Sequence, residues 1–283
     1  MNTQRLAETE RAFRQKDMGL DVSRDILAGV LEAEIIPRLL MVHRTHPAKP
    51  PNLFKPSQAD ISAFADMLLA SDTLAVAAYI EALRSKGLSI ESIYLGLITG
   101  TARHLGELWG NDTCNFCEVT LAVWPLQQLL HELSPIFQCE PGVRQFNGRR
   151  VLLCPIAAEQ HTLGVAMVAE FFRRGGWDVI GDIPSNNDEL VEAVAKEHLD
   201  VIGLSVSGEV DGEQLAALIA AIRHASRNPM IGIMVGGWGF LERPELSVVV
   251  GADFMARDAR EAVVRADQHM EFISTRSSKA HWR

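Results

Sequence analysis

Apolar residues fall along this chain in two rhythms. Near the start they recur every three or four positions, at Ile26, Leu27, Val30, Leu31, Ile35, Leu39 and Leu40, a spacing that lines one face of a helix. The pattern stops at "PAKPPNLFKPS", four prolines in eleven residues, which cannot continue a helix and reads as a linker or extended arm. Helical spacing resumes in "DISAFADMLLAS", "LAVAAYIEALRSKG", "IESIYLGLITGTARHLGELWG" and "CEVTLAVWPLQQLLHEL", separated by Ser, Gly, Asn and Asp. Four helices with short connections predict a four-helix bundle, with Asp60, Ser71 and Ser89 placed as N-caps.

After "QCEPGVRQFNGR", which reads as an interdomain linker, the rhythm changes. Short apolar runs at "RVLLCPI", "WDVIGD", "DVIGLSVS", "MIGIMVGG" and "ADFMA" alternate with amphipathic helical segments. Strands apolar on both faces predict a parallel α/β sheet covered by helices on both sides. Right-handed crossovers then favour the five-stranded flavodoxin-like, Rossmann-like order. The expected organisation is a helical extension and Pro-rich linker over 1–56, a bundle over 57–138, the α/β domain over 149–270 and a tail over 271–283. A chain of 283 residues accommodates two cores, since a domain takes roughly 100 to 200 residues.

Composition removes several function classes. A formal net charge of −9 offers no basic surface to neutralise phosphates, so direct DNA binding by this chain is disfavoured. The start lacks the apolar core of a signal peptide, and no stretch reaches about 18 uncharged apolar residues, so a cytoplasmic location away from membranes is expected. Cys114, Cys117, Cys139 and Cys154 do not form a disulfide framework, and a reducing compartment keeps them as thiols. Cys114-x-x-Cys117 is half a zinc site or two core or turn thiols, with no second spaced pair beside it. "GGWG" lies after the wrong strand for a dinucleotide loop, and "CPIAAEQHTLG" lacks G-x-G-x-x-G.

The candidate chemistry gathers at strand ends. His161 follows the first strand, Ser205 and Ser207 end the third, and Gly236 and Gly237 end the fourth. Ligands in open α/β sheets bind beyond the carboxyl ends of the strands, where strand order reverses. A neutral imidazole donates well to a transition metal, and a carboxylate such as Glu159 would fix its tautomer. Gly164 permits close backbone approach, and the small residues at 205, 207, 236 and 237 leave a slot beside the metal ligand. An isolated histidine at such a turn is more often a partly buried residue, and Glu159 could simply favour a helix start. The spaced Ser and Gly-Gly elements shift the balance toward a ligand site.

Glu159, His161 and Gly164, then Ser205-Val-Ser207 after 40 residues and Gly236-Gly237 after 28 more, resemble the Asp-x-His-x-x-Gly, Ser-x-Leu and Gly-Gly signature of cobalamin-binding domains. The resemblance runs from Ser57 to Ala266. It implies that His161 ligates cobalt from below, that the displaced nucleotide tail fills the slot, and that the bundle caps the upper face. Trp109 and Val119 are then cofactor-contacting positions of the cap, with Trp109 as its roof; Trp124 is read as packing. Glu159 stands where the pattern has Asp, and Ser207 where it has Leu. Light-sensing members carry a Glu-His pair soon after the bundle tryptophan, and "GNDTCNFCEVT" has none, so the upper ligand is unassigned.

The variant W-x-x-D-x-C-x-F-x-x-V-T, with Glu159, is similar to the PpaA and AerR type regulators of purple bacteria. That likeness implies a light- or redox-responsive antirepressor binding adenosylcobalamin or hydroxocobalamin. Its partner would be a transcriptional repressor of photosynthesis genes, and it would not be an enzyme. Two alternatives stay open: a corrinoid carrier of a methyltransferase system, and a haem sensor of the same fold. No segment remains for a substrate-binding barrel of about 250 residues. The sequence assigns no oligomeric state.

Overall fold

The computed structural model describes residues 56–156, 162–181, 184, 186–209 and 211–280, the last five by backbone alone. The chain divides into Met1–Pro51 and Asn52–Arg283, and all described residues belong to the second unit. Helix α1 (Gln58–Leu69) is followed by α2 (Thr73–Ser85) and α3 (Ile90–Ser92). The chain runs on from α3 through a π-helical segment, Ile93–Ile98, into α4 (Thr99–Gly110), and α5 (Phe116–Cys139) completes the bundle. The α/β part then runs β1 (Arg150–Pro155), α6 (Leu163–Arg174), β2 (Asp178–Ile180), α7 (Asn187–Lys196), β3 (Val201–Ser205), α8 (Gly212–Ala225), β4 (Gly232–Gly236), α9 (Trp238–Glu242), α10 (Leu246–Val249), β5 (Phe254–Ala256) and α11 (Ala259–Ala280).

The helix starts follow from capping chemistry. Ser57 and Asp60 form a reciprocal capping box: the Asp60 N–H donates to Ser57 Oγ and the Ser57 N–H to Asp60 Oδ2. Asp60 is therefore the third residue of α1 and not its cap. Asp72, rather than Ser71, caps α2 by accepting from the Ala75 N–H at 2.9 Å, while Ser71 takes the left-handed turn before it, φ 55°. Ser89 caps α3 as expected, and Asn115 with Glu118 boxes the start of α5. The π-helical segment has no counterpart in the sequence reading. It carries the buried Ile93, Tyr94, Leu97 and Ile98 of the bundle core.

The five strands are parallel and ordered β2-β1-β3-β4-β5, the flavodoxin-like order with its reversal between β1 and β3. Alternate residues serve two cores. Leu152, Cys154, Ile202, Leu204, Ile233 and Val235 pack with α7 and α8. Val151, Leu153, Val201 and Met234 face α6 and α11, and this second core is continuous with that of the bundle.

Bundle and sheet are joined chiefly by α5 against α6. Tyr94, Phe137 and Phe171 form an aromatic cluster with centroids 4.9 to 6.4 Å apart. Beside it Glu170 is only 4% exposed and accepts from Ser134 Oγ at 2.6 Å, Gln138 Nε2 at 2.9 Å and Arg173 at 2.6 Å. A buried carboxylate so enclosed is satisfied on both oxygens, which its desolvation requires. The segment from α5 to β1 is also pinned, by Arg144 N–H to Arg174 O and Asn147 N–H to Gly176 O. Gly176, φ 82°, has no room for a side chain there, because a Cβ would lie 2.1 Å from Gln145 O.

Candidate functional site

The carboxyl edge of the sheet carries a row of small residues. Pro155, Ser205, Gly236 and Ala256 are register partners across β1, β3, β4 and β5. By strand alternation they share the face of Val151, Leu153, Val201 and Met234, the face toward α6 and α11. One row below, the side chains of Leu153 and Met234 close over Gly203, where a Cβ would meet them at 2.5 and 2.6 Å. Packing is therefore tight beneath; at the edge the side chains are small, though a Cβ on Gly236 would still lie 3.1 Å from Ala256 O.

Two sequence-selected glycines act differently. Gly164, in the first turn of α6, has no described residue within 4 Å of an added Cβ, so among the described residues nothing fills the start of α6. Gly237, with φ 96°, is held by the backbone: a Cβ would lie 2.3 Å from Val206 O. The Val206 N–H donates to Gly236 O and the Gly239 N–H to Val206 O, lacing the β3 and β4 exits together. Ser205 and Ser207 are both half-buried. His161 and Glu159 lie outside the described residues, in the connection between Ile156 and Thr162.

The bundle reaches this edge at two points. Gln127 of α5 donates from Nε2 to Thr162 Oγ1 at 3.0 Å, immediately after His161. The Arg103 guanidinium of α4 lies over the Trp238 ring, 5.7 Å from its centroid, immediately after Gly236-Gly237. Helical spacing puts Thr99, Arg103, Gly106 and Gly110 on one side of α4. Thr99 touches Met167 of α6 at 3.4 Å and Arg103 touches Trp238, whereas Gly106 and Gly110 have no described residue within 4 Å of an added Cβ. Among the described residues, α4 is thus seated at one end and open at the other. Trp109 borders the open end, 52% exposed and edge-on to Phe116 at 6.3 Å. Val119 is half-buried against the bundle core.

Sequence reasoning missed Gln127, Arg103, Trp238 and the row partners Pro155 and Ala256. One signal was available: Gln127, Ser134 and Gln138 form a polar stripe at seven- and four-residue spacing on an otherwise apolar side of α5, as a helix does where it meets a polar partner. The Arg103–Trp238 pair has no local signal.

These residues suit a large planar metallocofactor with a tail. The small row and the opening at Gly164 could take a tail at the carboxyl edge, and the open end of α4 leaves height above a ring. A corrin or porphyrin brings its own ring nitrogens, so one imidazole from the chain suffices. Among the described residues no three or more His, Cys, Asp or Glu cluster to hold a bare ion.

Comparison with known proteins agrees. The chain is 29% identical over 175 residues to an uncharacterized 20.5 kDa protein of Rhodobacter capsulatus, from the bchF-crtJ intergenic region, covering 62% of this chain and 90% of that one. In fold it is similar to the monomethylamine corrinoid protein of Methanosarcina barkeri, with TM-score 0.62 and 14% identity over 74% of this chain and 98% of that chain. The profile of the B12 binding domain matches residues 149–266. Over 149–266 this chain is therefore similar to the B12 binding domain family.

Proposed function

We propose that this chain is a cobalamin-binding regulatory protein whose bundle seating depends on the state of the cofactor, and that it acts on a transcriptional repressor and is not itself an enzyme. The observation that carries the reading is the pair of bridges at the carboxyl edge. Gln127–Thr162 and Arg103–Trp238 attach the two bundle helices beside the two elements that flank the slot. In this reading His161 would hold the metal, and Glu159 would fix the tautomer of its imidazole. Ser205, Ser207, Gly164, Gly236 and Gly237 line the tail slot, and Trp109 and Val119 border the upper face. Bound cobalamin would supply a cobalt centre responsive to light or redox state.

The chain's own residues supply the output. Whatever occupies the space below Gly106 and beside Trp109 bears on α4 and α5, which among the described residues are bridged to the strand exits by the Gln127–Thr162 hydrogen bond and the Arg103–Trp238 cation–π contact. Such an exposed contact is worth about 0.5 to 1 kcal/mol, so differential binding of modest size could shift bundle seating. The location of the Rhodobacter capsulatus relative between bchF and crtJ supports a role in photosynthesis gene regulation and makes the host's crtJ-encoded protein the first partner to test.

The test is absorption spectroscopy of the full chain reconstituted separately with adenosylcobalamin, hydroxocobalamin and haem, in darkness and after illumination. A cobalamin spectrum that changes on illumination or reduction, and is lost in His161→Ala, is expected. Unchanged affinity and spectrum in that variant would remove the lower-face ligation. A haem spectrum alone would favour the haem-sensor reading, and methyl transfer from a corrinoid methyl donor would favour the carrier.

A further inference from the structure

Helix α5 has a second surface that none of the foregoing uses. Opposite the buried Ala122, Leu126 and Leu130, its outward side exposes Cys117, Leu121, Trp124, Gln128 and Glu132 at three- and four-residue spacing. Leu121 is 68% and Trp124 58% exposed, and Phe116 at the same end is 63% exposed. Isolated exposed apolar residues are ordinary, but several large ones within two turns of one helix mark a binding surface. Aromatic anchors of this kind carry much of the energy of protein interfaces.

Charge indicates what kind of surface would cover it. From His104 to Val143 the chain has five carboxylates and no lysine or arginine. Glu140 turns inward, accepting from the Ile90 N–H at 3.2 Å, but Glu107, Asp112, Glu118 and Glu132 are exposed. The apolar patch therefore sits in a negative field. A second copy docking through the same patch would set carboxylates against carboxylates, as an isologous contact must. Nucleic acid and anionic lipid would be repelled for the same reason. A basic surface with apolar side chains of its own is complementary in both respects.

We propose that the N-terminal half of α5, centred on Leu121 and Trp124 and flanked by Glu118 and Glu132, docks a basic, apolar-faced surface of a partner protein. The proposal rests on the regulator reading and adds the chemistry by which its partner is recognised. It also gives that reading a physical route. The inner side of α5 is held to α6 and Thr162 by Gln138, Ser134 and Gln127, so a partner on the outer side senses how the bundle is seated.

The test uses the full chain, with and without hydroxocobalamin, and two probes: the host's crtJ-encoded protein and a labelled amphipathic helical peptide of lysine and leucine. A glutamate-leucine peptide of equal length is the control. Anisotropy titrations should show the lysine peptide and the crtJ-encoded protein binding, each weakened about tenfold between about 50 and 300 mM salt. The Leu121→Ala/Trp124→Ala variant should lose about tenfold or more, and Glu107→Gln/Glu132→Gln should flatten the salt dependence. Both variants alter exposed positions, and an unchanged circular dichroism spectrum and cobalamin spectrum would show them folded. Equal binding of both peptides, or affinity unmoved by the Leu121/Trp124 variant, would overturn the proposal. So would a wild-type dimer that this variant converts to monomer. Absence of cobalamin binding with peptide docking intact would sink the cofactor reading and leave the surface standing.

Discussion

Gln127 and Thr162, 35 residues apart, meet at 3.0 Å through Nε2 and Oγ1, joining the middle of α5 to the residue that follows His161. On the other side of the edge Arg103 and Trp238 make the matching contact. Together they define how the bundle stands over the carboxyl ends of β1, β3 and β4. Farther down, the same side of α5 is anchored to buried Glu170 through Ser134 and Gln138. The lower half of the interface is thus tightly held, and the end nearest the slot is lightly held.

Removing the upper bond should therefore affect binding more than folding. Gln127→Ala is expected to lower stability by only about 0.5 to 1.5 kcal/mol, the usual net worth of one hydrogen bond, read from urea denaturation of the apoprotein. The same energy would weaken hydroxocobalamin binding by about two- to twelvefold if bundle seating and cofactor binding are linked. A variant that loses stability but keeps full affinity would make the bond purely structural.

The two glycines beside the slot separate folding from binding in the same way. Gly237→Ala places a Cβ 2.3 Å from Val206 O at φ 96° and should cost about 2 to 4 kcal/mol, since neither backbone can give way cheaply. Gly164→Ala meets no described residue within 4 Å and sits in the first turn of a helix, where alanine is the better residue by up to about 1 kcal/mol. Its apoprotein should be as stable as wild type or more so, with cobalamin affinity reduced because the methyl group enters the opening. Equal urea midpoints for the two variants would contradict this division.

The sheet was legible because a parallel strand buried on both faces must be apolar throughout, as "VLLC", "VIGL" and "GIMV" are, and because few topologies satisfy right-handed crossovers. The bundle was legible from its three- and four-residue spacing. The π-helical segment at Ile93–Ile98 was not, since its residues suit an α-helix equally well and only packing against the other helices selects it. The cap misplacements at Asp60 and Ser71 have a local cause: each lies within three residues of a second side chain able to cap. At the site, residue types and strand ends could be read, because position along a strand fixes which edge a residue reaches. The two bridges could not, because Arg103–Trp238 and Gln127–Thr162 join separate parts of the fold.

The cysteines should differ sharply in reactivity. Burial pushes the Cys154 thiol up to about 12, and its side chain lies in the core against α7 and α8, so thiolate is scarce and reagents have no access. Cys117 and Cys139 are exposed. Mass spectrometry after brief iodoacetamide treatment of the native protein at about pH 8 should find Cys117 and Cys139 modified and Cys154 modified only after denaturation. Rapid native labelling of Cys154 would place β1 differently from the present fold.

His269 should set a pH dependence remote from the slot. It packs on Phe254, with ring centroids 5.2 Å apart, and against Gly232, where an added Cβ would meet its ring at 2.8 Å. Burial holds its pKa below the ordinary 6.5, aided by Arg223 and opposed by Asp253. A histidine depressed in the folded state is bound by protons more readily when unfolded, so stability falls as pH drops. The contribution is complete above pH 6.5, is lost progressively below it, and levels off beneath the folded-state pKa. His269→Gln, which cannot take up a proton, should flatten the curve between about pH 7.5 and 5.5. Urea midpoints across that range provide the measurement. A wild-type protein that gains stability on acidification, or a variant with an unaltered slope, would show that His269 is not the group responsible.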